Sequence, residues 1–170
     1  FNRSGFSALS TASRYESDSL WNYEVGVRTS WLDNRLTANG VVYYIDWSDI
    51  QLRAFDPVSI SDKIQNVGKA EIFGLETELR YQATESLQLS MNYSYTDASL
   101  AEDYTDGNTP ATVIEANGDR LPGSVKHSFS LYADWEVQLT STLDLRANAN
   151  YIYVSSRENG FGTSGQLTLD

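Results

Sequence analysis

The chain has no cysteine, and its 170 residues include only twelve Lys and Arg, one His, one Met and three Pro. Without cysteine there is no disulfide framework and no thiolate zinc site. Twelve basic residues against twenty-three Asp and Glu leave a net charge of −11. A phosphate backbone is held by a basic stripe that releases counterions, so nucleic acid is excluded as a partner. No window approaches the roughly 18 consecutive apolar residues of a membrane-crossing helix. The first residues, FNRSGFSALSTAS, lack a basic segment followed by an apolar one, so they form no signal peptide. Either the protein is not exported or the chain starts in mid-protein. No nucleophile motif and no glycine-rich phosphate loop occurs, so no enzymatic activity and no cofactor are expected.

What the chain does have is tyrosine, eleven of them, and long runs of alternation. Between residues 21 and 31 the odd positions read Trp21, Tyr23, Val25, Val27, Thr29, Trp31, and the even ones Asn22, Glu24, Gly26, Arg28, Ser30. Strict period 2 over eleven residues predicts a strand with one apolar and one polar face. Residues 71–81 repeat it, with Phe73, Leu75, Thr77, Leu79 and Tyr81 opposite Gly74, Glu76, Glu78 and Arg80. Residues 127–137 repeat it again, with Phe129, Leu131, Ala133, Trp135 and Val137 opposite Ser128, Ser130, Asp134 and Glu136.

Each such strand is followed by another that opens on a leucine, at Leu36, Leu87 and Leu143, so the unit is a hairpin written three times. The second and third of these carry Leu89, Met91, Tyr93, Tyr95 and Leu145, Ala147, Ala149, Tyr151, Tyr153 on one face. The first loses its alternation over residues 43–47, which leaves its facing open there. Short connections near residues 33–34, 83–85 and 140–142 alternate with long polar ones at about 53–68, 97–122 and 155–165. One end of the sheet thus carries turns and the other loops, as in outer-membrane barrels.

A soluble β-sandwich, for instance a carbohydrate-binding domain, also alternates, and would be soluble without detergent. Strand length argues against it. Soluble strands run five or six residues, whereas ten steps from Trp21 to Trp31 extend about 34 Å. At a tilt of roughly 40° that projects to about 26 Å, close to the ~25 Å apolar band of a barrel. Aromatic placement agrees, since Tyr and Trp favour membrane interfaces. Trp21, Tyr23, Phe73, Tyr93, Tyr95, Tyr151 and Tyr153 fall at the loop side, and Trp31, Tyr81 and Trp135 at the turn side. The expected fold is all-β, an antiparallel up-and-down meander forming part of a large transmembrane barrel. Trp21, Val25, Leu75, Leu89, Leu131 and Leu145 should lie on its convex side.

The residues also resemble a known family. Gly5-Phe6, followed by RYESDSLWNYEVGVRTSWLDNRLTANGVVYYIDWSDIQ, is similar to barrel segments of TonB-dependent receptors. NVGKAEIFGLETELRY, LSMNYSYTDASL and NGDRLPGSVKHSFSLYADW resemble, in order and spacing, the strands that follow there. The likeness covers residues 5–135, and more weakly reaches 153. The family's proline before the first glutamate is missing, with Tyr15-Glu16-Ser17-Asp18 in its place. The resemblance implies a 22-stranded outer-membrane barrel closed by an N-terminal plug. It also implies active uptake of a scarce bulky ligand, commonly a ferric siderophore, energised by the TonB complex. The whole of residues 1–170 then reads as a partial barrel, about strands 14 to 20, with plug and TonB box outside it. A passive porin-like barrel or an adhesin is the alternative.

The charged residues of the polar face would line the lumen: Glu24, Arg28, Glu76, Glu78, Arg80, Lys126, Asp134, Glu136, Asp144 and Arg146. They would contact the plug or the ligand, or simply stand in a wet lumen where charge costs little. Glu76 and Glu78 invite a glycosidase reading, but a polar strand face produces the same spacing. The acidic stretch from Asp103 to Asn108 lacks the spacing and terminal bidentate glutamate of a calcium loop. A lone His127 without cysteine makes a poor transition-metal site and fits the loop-side aromatic edge better.

Overall fold

The computed structural model describes residues 17–56, 61–66, 68–105 and 113–158. Six long strands dominate it: β1 (Ser19–Trp31), β2 (Leu36–Ser48), β5 (Lys69–Gln82), β6 (Leu87–Leu100), β9 (His127–Thr140) and β10 (Leu143–Val154). They form one antiparallel sheet in the order β1-β2-β5-β6-β9-β10. Short turns join β1 to β2, β5 to β6 and β9 to β10, while long connections join β2 to β5 and β6 to β9. At twelve to fourteen residues, the strands are twice the length usual in soluble sheets.

The turns at one end are compact. Between β1 and β2, Leu32, Asp33 and Asn34 all take left-handed backbone angles, φ 56, 54 and 67°. The Arg35 amide donates to the Leu32 carbonyl at 3.1 Å and closes the turn. Asp and Asn tolerate that region through local hydrogen bonding, whereas a leucine does so at a cost. Arg35 then ties this turn to the next, its Nε and Nη2 donating to the carbonyls of Gln82 and Ala83 at 3.1 and 2.7 Å.

The other end is more structured than the polar composition of 53–68 and 97–122 suggests. The first connection carries a hairpin, β3 (Gln51–Asp56) with β4 (Ser61–Asn66). The second carries the short pair β7 (Tyr104–Thr105) and β8 (Val113–Glu115). It returns beside β6, with Leu100 donating to Asp119, Leu121 to Ala98 and Thr96 to Lys126 through their backbones. These long polar connections thus carry hydrogen-bonded hairpins of their own. Of the third, only residues 155–158 lie within the description.

The only core among the described residues sits at this loop end. Ile50, Ala70, Ala98, Leu100, Tyr104 and Leu121 are buried, with Trp47 and Ile72 packed against them. This explains the lost alternation in β2. Its register with β1 and β5 is unbroken, so Tyr44 joins the face of Tyr23 and Phe73, while Ile45 and Trp47 point to the opposite face. There the loop-end core covers that face, and a strand covered on one side and apolar on the other reads as a continuous apolar run.

Among the described residues, no second layer meets the other face. Val25 is 79% exposed and Trp21 67%, and Leu131 and Leu145 are also open. The described strands form a single six-stranded sheet, with none of the two-sheet packing of a sandwich among them.

Candidate functional site

The register, broken only by a shift at Leu143/Asp144 in the β9–β10 pair among the described residues, places the side chains of the six strands on one of two faces. The apolar face reads across the sheet in rows. One row is Tyr23, Tyr44 and Phe73; the next toward the turns brings Tyr95 beside His127; the one after holds Tyr93, Phe129 and Tyr153. At the turn end Trp31, Leu36 and Tyr81 share a row, and Trp135 lies one row further on beside Leu87. Two aromatic bands thus cross the sheet, both stepping toward the turns from β1 to β10. Level bands on tilted strands must cross the hydrogen-bonded rows in this way. Trp21 and Tyr151 stand one row outside and one row inside the loop-side band.

The loop-side band is a contact network. Phe73 meets Tyr95 edge-on at 6.4 Å, Tyr95 meets His127 at 5.3 Å, and Phe129 meets Tyr151 at 6.3 Å. Tyr93 Oη lies 3.0 Å from His127 Nδ1. The single histidine is therefore an aromatic neighbour, as its position suggested. Lys126 departs from expectation. Its Nζ lies 3.5 Å from Asp97 and 5.8 Å over the Tyr95 ring, on the apolar-face side, instead of on the polar face. A lysine just past the strand end is free to turn either way.

The polar face collects the remaining expected charges: Glu24, Arg28, Glu76, Glu78, Arg80, Asp134, Glu136, Asp144 and Arg146. Only some of them meet. Arg146 binds Asp134 through both carboxylate oxygens, at 3.2 and 2.9 Å. Arg80 lies 3.5 Å from Glu78, which also accepts from Asn39 Nδ2 at 2.9 Å. Glu76 and Glu78 line one wall of a groove of about 410 Å³ spanning five strands, with Arg28, Asn92, Ser94 and Ser130 around it. Asn39 Oδ1 is buried there without a hydrogen-bond partner among the described residues. Small polar side chains on β6 and β9 leave the hollow open to water.

Sequence reasoning missed Tyr43. It lies on the polar face, flat over Gly74, where a Cβ would overlap the ring, and its hydroxyl reaches Thr96 Oγ1 at 3.2 Å. The pairing of Tyr43 with Gly74 follows from register, and register across a connection of twenty residues has no local signal. Among the described residues, no group of His, Asp and Glu is gathered as a metal site. Part of the acidic stretch considered for calcium, Asp106 to Asn108, lies outside them.

Comparison with known proteins agrees with this geometry. The probable TonB-dependent siderophore receptor PiuA of Acinetobacter baumannii is 24% identical over 122 residues, 69% of this chain. The crystal structure of the siderophore receptor PiuA superposes on 82% of the chain with a TM-score of 0.58 and 21% identity. The ferric yersiniabactin uptake receptor FyuA of Yersinia pestis superposes on 91% with a TM-score of 0.66 and 18% identity. These likenesses carry the fold, an antiparallel barrel wall. The chain spans 16% of PiuA by sequence and 21% of FyuA. The model of the TonB-dependent receptor-like β-barrel matches residues 9–170, nearly the whole chain, and the chain belongs to that family.

Proposed function

We propose that this chain is part of the wall of a bacterial outer-membrane receptor for active uptake of a scarce, bulky ligand, a ferric siderophore. The TonB complex, acting through a plug domain encoded outside residues 1–170, supplies the energy. The observation that carries this reading is the two-faced meander with parallel aromatic bands. Phe73 and Tyr81, one in each band, are eight residues apart on β5. They are therefore separated by about 27 Å along the strand, or about 21 Å across a membrane at 40° tilt, comparable to the apolar band of a barrel.

In this reading Trp21, Tyr23, Trp31, Phe73, Tyr81, Tyr93, Tyr95, Trp135, Tyr151 and Tyr153 face outer-membrane lipid at its two interfaces. The charged set from Glu24 to Arg146 faces the lumen. Its groove meets the plug or the passing ligand, and a donor entering it would satisfy Asn39 Oδ1, whose burial otherwise costs stability. Transport requires binding and gating, not bond chemistry.

Expression of the complete reading frame in cells lacking their own siderophore receptors tests the proposal. Radiolabelled ferric siderophore should accumulate only when the TonB complex is intact. Accumulation that ignores TonB would mark a passive pore instead.

A further inference from the structure

No turn sets the pairing of β2 with β5. Residues 49–68 separate the two strands, and a turn fixes register only where the connection is short. A one-residue slip would exchange the two faces, so the competing alignments are slips of two. In one of them Leu36 would stand opposite Leu79 and Val42 opposite Phe73, so apolar residues would still meet at those rows. Charge favours that slip. In the observed register Asp46 faces Glu71, and like charges directly opposite destabilise a sheet. The slip would set Asp46 opposite Lys69 instead.

Side-chain size opposes it. The two large rings on the polar face of β2 are Tyr43 and Trp47, four residues apart. Opposite them on β5 stand Gly74 and Ala70, the two smallest residues of that face and again four apart. Tyr43 lies over Gly74, where a Cβ would overlap its ring, and its hydroxyl reaches Thr96 Oγ1 at 3.2 Å. Thr96 is the partner of Gly74 on β6, so one tyrosine ties three strands along a single row. Ala70 is fully buried, and Trp47 packs against the cluster that holds it. The slip would bring Tyr43 onto Ile72 and move Trp47 to Gly68, beyond the strand end. The opposite slip would set Tyr43 on Glu76 and Trp47 on Ile72.

We propose that Tyr43 on Gly74, with Trp47 on Ala70, is a register lock that selects one alignment of β2 with β5. The lock concerns assembly of the wall and is independent of what the receptor transports. A ring seated on bare backbone gains close contacts, whereas the same ring over Ile72 or Glu76 is overpacked. That difference offsets the repulsion between Asp46 and Glu71.

The test uses the complete receptor carrying Ala38→Cys with one of two partners. Leu79→Cys is opposite it in the observed register, and Thr77→Cys would be opposite it in the slipped one. Directly opposite residues lie within disulfide reach, and diagonal ones lie mostly beyond it. The receptor is folded into lipid vesicles under oxidant, and disulfide-linked peptides are quantified by mass spectrometry. With Tyr43 and Gly74 intact, the 38–79 crosslink should predominate. In Tyr43→Ala the slipped 38–77 crosslink should rise about tenfold, the order set by one aromatic pair lost and one charge pair gained. Gly74→Ala, whose methyl closes the seat while the tyrosine stays, should raise it as well. Tyr43→Phe retains the ring and should keep the observed register. Adding Asp46→Asn to Tyr43→Ala removes the charge preference and should restore most of the 38–79 crosslink, which a general loss of stability would not do. An undiminished 38–79 crosslink in both Tyr43→Ala and Gly74→Ala would overturn the lock. So would a slip in Tyr43→Phe equal to that in Tyr43→Ala. Gly74→Ala decides the matter if Tyr43→Ala does not fold.

Discussion

At the scale of single residues, the two faces obey opposite rules, and substitution should expose the difference. Leu131→Arg places a charge on the apolar face at the row of Leu79 and Met91, and should cost the complete receptor roughly 2–4 kcal/mol if that row lies near mid-membrane. Ser130→Arg and Asn92→Arg, beside the open groove, should cost much less. Folding titrations into lipid vesicles measure both, and equal penalties would reverse the assignment of faces. Tyr43 and Gly74 provide a second test. Gly74→Ala forces its methyl into the Tyr43 ring and should destabilise by about 1–3 kcal/mol, as overpacking does. In a Tyr43→Ala background the same change should be nearly neutral. A double-mutant cycle in the same vesicle assay reads the coupling.

At the scale of elements, the strands are long, as the proposed span between two membrane interfaces requires, while the turns hold the strain. Leu32 in the left-handed region costs about 1–2 kcal/mol relative to an ordinary conformation, and glycine would relieve it at some cost in unfolded-chain entropy. Leu32→Gly should therefore leave receptor stability unchanged or raise it by up to about 1 kcal/mol, measured as the denaturant midpoint of folding into vesicles. A clear loss would mean that the leucine side chain packs against the face strongly enough to outweigh its backbone strain. The loop-side arms behave differently. Ile50, Leu100, Tyr104 and Leu121 give them a core of their own, so removing one large member is costly. Leu100→Ala should destabilise by about 2–5 kcal/mol. Hydrogen exchange should then rise in the 113–126 segment before it rises in the strands.

At the scale of the whole molecule, a partial barrel leaves the outer edges of β1 and β10 without strand partners within the described sheet. Its apolar face is also far larger than the few hundred Å² a soluble monomer exposes. The isolated 170-residue chain should therefore associate through its edges in water. Sedimentation after refolding without detergent should show polydisperse aggregates. A sharp monomeric boundary with cooperative melting of the β-sheet would overturn the membrane assignment.

Alternation determined five of the long strands and the turn-side part of β2, with the composition of both faces there. The side chains of a strand alternate by covalent geometry, and the short turns pair β1 with β2, β5 with β6 and β9 with β10. For that reason Trp21 to Trp31 could be read residue by residue, as could the charged set from Glu24 to Arg146 apart from Lys126. Only the tertiary structure decided what depends on register and on contacts between distant segments. It set Tyr43 over Gly74 and turned Lys126 toward Tyr95. It also folded polar-looking connections over Ala70, Ala98 and Leu100. Such features arise where two or more strands meet across many residues of chain. No local pattern encodes which row a side chain will share, or whether a loop end will find an apolar surface to cover.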